Sequence, residues 1–138
     1  MICSSYFVDF EFGSSLKLES FLIELIEMEF NSSEFLVLNW AKIKGIKYQV
    51  NDVVILNKSQ NLPTYGQIVA IIYIKDDFRL MIKDIKTKSY VDYLAAYQLE
   101  EVSDWVFKYY SIQNLVVPWP LDLYDKEGRK FVIPKYGF

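Results

Sequence analysis

The amino-acid sequence predicts a mainly β fold, a small and partly open barrel with one or two flanking helices. Three observations support this prediction. The chain has 138 residues, of which 52% are hydrophobic, and this is enough for the core of one domain. Short segments rich in β-branched and aromatic residues recur from residue 35 onward. Turn residues separate these segments about every ten positions, as in small barrels and sandwiches.

The residues before this region form an acidic segment. Residues 1–40 contain one basic residue and seven acidic ones, a net charge of −6, whereas residues 41–138 have a net charge of +3. We interpret residues 1–33 as an acidic strand or helix segment packed on the body, and residues 34–138 as the β domain. The basic excess of the body is compatible with a face for a phosphate backbone and also with ordinary solvated surface.

Residues 14–30 fit two patterns. Large apolar residues fall on one side at helical spacing, and Ser14 or Ser15 is placed to cap the start; these apolar residues are Leu18, Phe21, Leu22, Leu25 and Ile26. Residues 24–30 also alternate between apolar and acidic positions, which is typical of a strand. We predict a helix over residues 15–28, with the strand as the open alternative.

The rest of the chain reads mostly as strands and turns. The predicted strands cover residues 35–43, 48–56 (with a polar break at 51–52), 66–74, 78–85, 97–102, 121–124 and 130–133. Asp76 and Asp77 predict a short turn, and Gly128 suits the left-handed position of a hairpin turn. Residues 103–112 predict a second helix.

The order of parts in residues 46–102 resembles an SH3-like barrel. A segment YQVNDVV, beginning at Tyr48, enters the first strand, and a loop then leads to Gly66 at the start of the next strand. A glycine at that position lets a strongly twisted strand bend around a small barrel. Tudor, chromo-barrel and bromo-adjacent homology domains are similar in this respect, so the pattern indicates a fold class.

A longer succession of motifs covers most of the chain. Residues 63–68 (PTYGQI) are followed by residues 96–102 (AYQLEEV), 118–124 (PWPLDLY) and 131–136 (FVIPKY). This order resembles the C-terminal domain of uncharacterised animal proteins encoded by, or derived from, DNA transposons, over residues 36–138. The resemblance implies a place in a nucleoprotein or chromatin-associated assembly. That family usually carries further N-terminal domains, so the resemblance also implies that this chain is a fragment or a free-standing relative.

Composition excludes several kinds of active site. The chain has no histidine, and its one cysteine is Cys3, so neither a Ser-His-Asp nor a Cys-His system can form, and no zinc site of these ligands. No Gly-rich phosphate loop is present in the sequence. We therefore predict a non-enzyme without cofactor or metal. A divalent-metal-dependent nuclease is the enzymatic alternative, and it would use Asp84 and Lys86, which share one face of a strand.

Aromatic residues supply two sets of candidate sites. Surface aromatics near the C-terminal end would anchor a protein partner; these are Trp105, Tyr109, Trp119 and Phe138. Three tyrosines of the barrel would form an aromatic cage for a methylated lysine; these are Tyr65, Tyr93 and Tyr97. In both sets the competing interpretation is that the rings fill the core.

Lysines supply the third set. Lys42, Lys44 and Lys47 lie near Trp40 in the sequence, and basic residues beside a stacking ring are typical of a nucleic-acid surface. Lysine on an edge strand also blocks unwanted pairing, and the calculated isoelectric point near 5.0 is low for a nucleic-acid binder.

From these observations we expect a non-catalytic protein-interaction module with another protein as its partner. Nucleic-acid binding and methyl-lysine reading are the alternatives, and self-association stays open. The first ten residues lack the features of a signal peptide. The longest uninterrupted apolar run, residues 68–74, has seven residues, against about 20 for a membrane-spanning helix. We expect an intracellular protein without a membrane partner, and the resemblance makes the nucleus a candidate location.

Overall fold

A computed structural model describes residues 10–13, 15–57, 64–101, 107–115 and 119–133. The predicted class is confirmed, since the fold is a small mainly β fold with a flanking helix and an open antiparallel sheet. Within the described ranges, no helix combines the length and the apolar character that crossing a membrane requires.

The structure contains one α-helix and eleven strands among the described residues. In chain order they are β1 (Phe10–Phe12), α1 (Ser20–Phe30), β2 (Leu36–Leu38), β3 (Trp40–Ile43), β4 (Ile46–Gln49), β5 (Val53–Asn57), β6 (Thr64–Ile74), β7 (Asp77–Val91), β8 (Ala96–Glu101), β9 (Phe107–Ser111), β10 (Leu123–Lys126) and β11 (Arg129–Val132). Two single-turn 3-10 helices cover Asp92–Leu94 and Ile112–Asn114.

The strands form two antiparallel sheets. β1, β3 and β4 make a three-stranded sheet, and the larger sheet has the order β10-β11-β8-β7-β6-β2, with β5 also on β6 and β9 also on β7. A single bridge between Val53 and Leu121 joins β5 to the chain just before β10. This bridge brings β5 and the start of β10 close together, but it is not a continuous ladder, so the sheet stays open.

Tight turns set the register of three hairpins. Both central residues have positive φ in each turn, which is the backbone of a type I′ turn and matches the twist of the strands it joins; these pairs are Lys44 with Gly45, Lys75 with Asp76, and Glu127 with Gly128. The turn predicted around Asp76 and the left-handed Gly128 are therefore confirmed.

Three clusters of buried side chains form the core. The first lies between the two sheets and includes Ala41, Tyr48 and Ile82. The second lies between α1 and the larger sheet, where Ile26 packs with Ile72 and other residues of β6 and β7. The third, on the side of the Val53–Leu121 bridge, contains six aliphatic residues and one tyrosine: Val53, Ile55, Tyr65, Ile85, Leu99, Leu121 and Val132.

One local prediction is confirmed with a displaced start, and two were wrong. The helix predicted over residues 15–28 is present over residues 20–30. The helix begins at Ser20 with Glu19 as its N-cap, because Ser15 bridges to Leu38 and the Leu16 amide donates to the Val37 carbonyl, which holds this segment extended along β2. The predicted strand over residues 35–43 is divided into β2 and β3, which belong to different sheets. Residues 107–111 form strand β9 on β7, not a helix.

Candidate functional site

The outer side of α1 carries an exposed apolar stripe. Phe21, Leu25 and Met28 are 52%, 37% and 78% exposed, whereas Ile26 on the opposite side is fully buried. At 3.6 residues per turn, the three exposed residues lie within about 60° of one another around the helix axis. Isolated exposed apolar side chains are normal on a protein surface, but three in line on one helix make a contiguous patch.

Carboxylates lie on both sides of this stripe. The helical rotation places Glu24 beside the stripe on one side and Glu29 on the other, and both are exposed. The helix sequence SFLIELIEMEF contains three glutamates and no basic residue. The helix therefore flanks the stripe with its own negative charges, which favours basic partners.

Sequence reasoning placed this face incorrectly. Phe21 and Leu25 were expected on the buried side together with Ile26, but the structure puts Leu22 and Ile26 toward the core and turns Phe21 and Leu25 outward. The sequence contained a signal for an exposed apolar side. Apolar residues surround most of the circumference of this helix, and a helix on the surface of a small domain buries only one side. Packing against the larger sheet determines which side of the helix is buried.

The predicted protein-binding aromatics lie elsewhere. Tyr109 is half-buried on β9 under the helix, where its ring meets Phe30 edge-on at 5.3 Å between centroids. Burial and, secondarily, the charge of Glu29 raise the pKa of Tyr109. Trp119 is half-buried against the cluster of the Val53–Leu121 bridge. Both therefore contribute to packing, and Trp105 and Phe138 lie outside the described residues.

The structure brings two of the predicted cage tyrosines together. The rings of Tyr65 and Tyr97 are 6.0 Å apart between centroids, and Tyr97 meets Tyr90 at 5.0 Å. Tyr65, however, is fully buried in the core, and burial, with a smaller effect of Tyr97, raises its pKa. The exposed ring of the group is Tyr90, 45% exposed. Tyr93 lies in a 3-10 helix, and its side chain lies outside the described part of the structure.

The three predicted nucleic-acid lysines share one hairpin. Lys42 on β3 is the direct cross-strand partner of Lys47 on β4, and Lys44 occupies the turn. All three are exposed. The Lys47 ammonium lies 4.8 Å from the centroid of the Trp40 ring, in a cation–π contact that orients this ring beside the lysines.

The nuclease alternative finds no support in the described geometry. Asp84 on β7 pairs with Lys108 on β9 at 2.9 Å between Oδ2 and Nζ, and this hydrogen bond raises the pKa of Lys108. Lys86 lies on the same strand and is exposed. Among the described residues, no three acidic or cysteine side chains converge to hold a metal ion.

Comparisons with models of protein families, with curated proteins and with solved structures found no match to this chain.

Proposed function

We propose that this protein is a non-catalytic interaction module that binds a basic amphipathic helix of a partner protein along the outer stripe of α1. The observation that carries this proposal is the alignment of Phe21, Leu25 and Met28, all exposed, between Glu24 and Glu29. Helix pairing uses apolar anchors at this spacing. An exposed methionine adapts its shape to a facing surface, and the flanking carboxylates select lysine and arginine on the partner.

The wider setting comes from the resemblance to transposon-derived proteins. We place the module in a nucleoprotein or chromatin-associated assembly, with a nuclear location. Proteins that bind nucleic acids carry basic segments, and such a segment with an apolar side supplies the chemistry that the α1 stripe requires. The module would then connect the assembly through protein contacts while another component holds the nucleic acid.

The affinity test uses a defined probe. A fluorescein-labelled amphipathic peptide of leucine and lysine, about five helical turns long, is titrated with the protein and followed by anisotropy. The double variant Leu25→Ser/Met28→Ser is expected to weaken binding at least about tenfold, because anchor residues dominate such interfaces. Glu24→Gln/Glu29→Gln should flatten the salt dependence, since the charge attraction is screened by ions.

A matched control separates this surface from general stickiness. Ile133 is 41% exposed, lies after β11 and is not part of the α1 stripe. Ile133→Ser removes a similar apolar area and should leave peptide affinity unchanged. Equal weakening by Ile133→Ser, or full affinity of the α1 double variant, would overturn the proposal.

Self-association through the same stripe is disfavoured by charge. Two copies of α1 packed on each other would bring their glutamates together with no basic residue from either helix. Sedimentation velocity is therefore expected to show a monomer. A dimer that the Leu25→Ser/Met28→Ser variant abolishes would assign the stripe to a second copy of this chain and contradict the proposed partner.

The basic hairpin favours a second candidate function, the binding of single-stranded nucleic acid. Like charges directly opposite each other destabilise a strand pair, and Lys42 faces Lys47 in this way beside the Trp40 ring. A phosphate between the two lysines would remove this repulsion. Anisotropy of labelled single-stranded RNA should then show micromolar binding that weakens steeply with salt. Lys42→Gln should reduce both affinity and salt slope, and Lys126→Gln, on β10, should change neither.

A further inference from the structure

A cavity lies between the first turn of α1, the turn from β4 to β5, and the facing strands of the larger sheet. Its volume is about 390 Å³, within the range of roughly 300–1,000 Å³ that small-ligand pockets occupy. Much of its wall is apolar: Phe21, Leu22, Val50, Val69 and Phe107. The cavity is therefore large enough for a ring system and offers apolar contact to it.

A buried amide with one unused acceptor forms part of this wall. Gln67 on β6 is 7% exposed, and its Nε2 donates to Asn51 Oδ1 at 3.4 Å. Its Oε1 is buried and accepts no hydrogen bond from the described part of the chain. An unfilled buried acceptor destabilises a fold, so a hydrogen-bond donor from outside the chain would stabilise this position.

The backbone around Gln67 is irregular in a way that shapes the cavity. A β-bulge interrupts the pairing of β6 with β7 between Ile68 and Ala70, and Asn51 has a φ of 79°. Bulges re-aim side chains and are frequent next to binding sites. Gln67 pairs directly with Lys83, while Met81, which shares the same face of β7, is fully buried and apolar. The polar pair therefore interrupts an apolar face where the cavity opens.

The lining residues select the chemistry of the ligand. Oε1 needs a hydrogen-bond donor, and a deprotonated carboxylate group by itself supplies none. Among the described lining residues, Lys83, Lys130 and Glu19 carry charge. A neutral N–H or O–H donor on a flat apolar body supplies the missing hydrogen bond and packs against the apolar wall. The two phenylalanine side chains favour an aromatic ring.

We propose that this cavity binds a neutral aromatic ring with one N–H or O–H donor, such as an indole, with the donor on Gln67 Oε1. The ring is either a free small molecule or a tryptophan or tyrosine side chain. The proposal does not rest on peptide binding to the α1 stripe. Phe21 borders both the cavity and the stripe.

The test is a titration of the full chain with indole, followed through the backbone amide shifts of Gln67, Val69 and Phe107. Saturable shifts with a dissociation constant on the order of 1 mM are expected for a ligand of this size. 1-Methylindole has the same ring without the N–H, and it should bind about tenfold more weakly because Oε1 stays unfilled. N-acetyltryptophanamide then distinguishes the source: saturation at the same amides assigns a side chain, and binding of indole alone assigns a small molecule.

Two variants complete the test. Gln67→Met keeps the length of the side chain and removes the acceptor, so it should abolish the preference for indole over 1-methylindole. Gln98→Met makes the same change on β8 and should preserve the preference. The proposal would be overturned by any of three results: no saturable indole shifts in the wild-type chain, equal affinity for indole and 1-methylindole, or an unchanged preference in Gln67→Met. If Gln67→Met fails to fold, the comparison of the two ring compounds with the wild-type chain still decides.

Discussion

Gly66 on β6 lies against Ile82 on β7 so closely that a Cβ atom at position 66 would overlap the Ile82 Cγ2. Both residues are fully inside the core, and Leu56 adjoins the same space. The glycine therefore leaves room for the Ile82 side chain where β5 also pairs with β6. The sequence assigned this glycine to bending of the strand, and the structure adds a steric reason for it.

Gly66→Ala is expected to destabilise the fold by about 1–3 kcal/mol, because an added methyl group overpacks a filled core. Urea denaturation at neutral pH measures the change. In an Ile82→Ala background the same substitution should lose most of its effect, since the overlapping methyl group is gone. An equal loss in both backgrounds would show that the Ile82 contact is not the cause.

The two sides of α1 should respond differently to substitution. Ile26→Ala removes fully buried side-chain volume and should destabilise the fold by about 2–5 kcal/mol. Met28→Ser changes an exposed side chain and should stay within about 0.5 kcal/mol of the wild type. Thermal unfolding of both variants checks this, and comparable losses would mean that the outer stripe is part of the core.

Ala95 adopts a left-handed backbone, with a φ of 51°, between the 3-10 helix at Asp92–Leu94 and β8. Ala95→Gly should stabilise the fold by up to about 1 kcal/mol, because relief of left-handed strain exceeds the added chain entropy of glycine. Ala96→Gly, one residue later in a buried strand position, should destabilise it. If the denaturation midpoint falls in both variants, the backbone at Ala95 is not strained.

Stability should fall at alkaline pH through buried tyrosines. Burial raises the pKa of Tyr48 to about 12, whereas in the unfolded chain it stays near 10. Between these values the unfolded chain releases a proton that the folded chain keeps, so the free energy of unfolding decreases as pH rises. Tyr48→Phe should show a shallower decrease between about pH 10 and 12, measured from urea midpoints. An identical slope in both proteins would contradict this assignment.

The sequence predicted the local features well where a single residue type decides the backbone. Gly128 and the turn at Asp76 follow from left-handed turn geometry, and the polar break at Asn51 and Asp52 separates β4 from β5 as expected. Long-range pairing decided the errors. Ser15 is extended because β2 pairs with it, and Phe107 begins a strand because β7 offers a free edge.

The candidate sites depended still more on tertiary structure. Lys42, Lys44 and Lys47 were grouped because they lie close together in the sequence, and the structure makes Lys42 and Lys47 direct cross-strand partners. The sequence could not show that Tyr65 is buried or that Leu25 faces outward, because in both cases another element decides which side chain is covered. The Gln67 amide binds Asn51, sixteen residues away in the chain. No local sequence pattern could predict this contact or the unused Gln67 acceptor.

The most direct test of the α1 surface is an amide chemical-shift map of the labelled chain with the leucine–lysine peptide. The largest shifts are expected at Phe21, Leu25 and Met28, and they should saturate together and decrease with added salt. The hairpin residues Lys42 and Lys47 should show no shift, because they would repel the peptide. Largest shifts outside α1, or none at saturating peptide, would contradict the proposal that this helix is the docking surface.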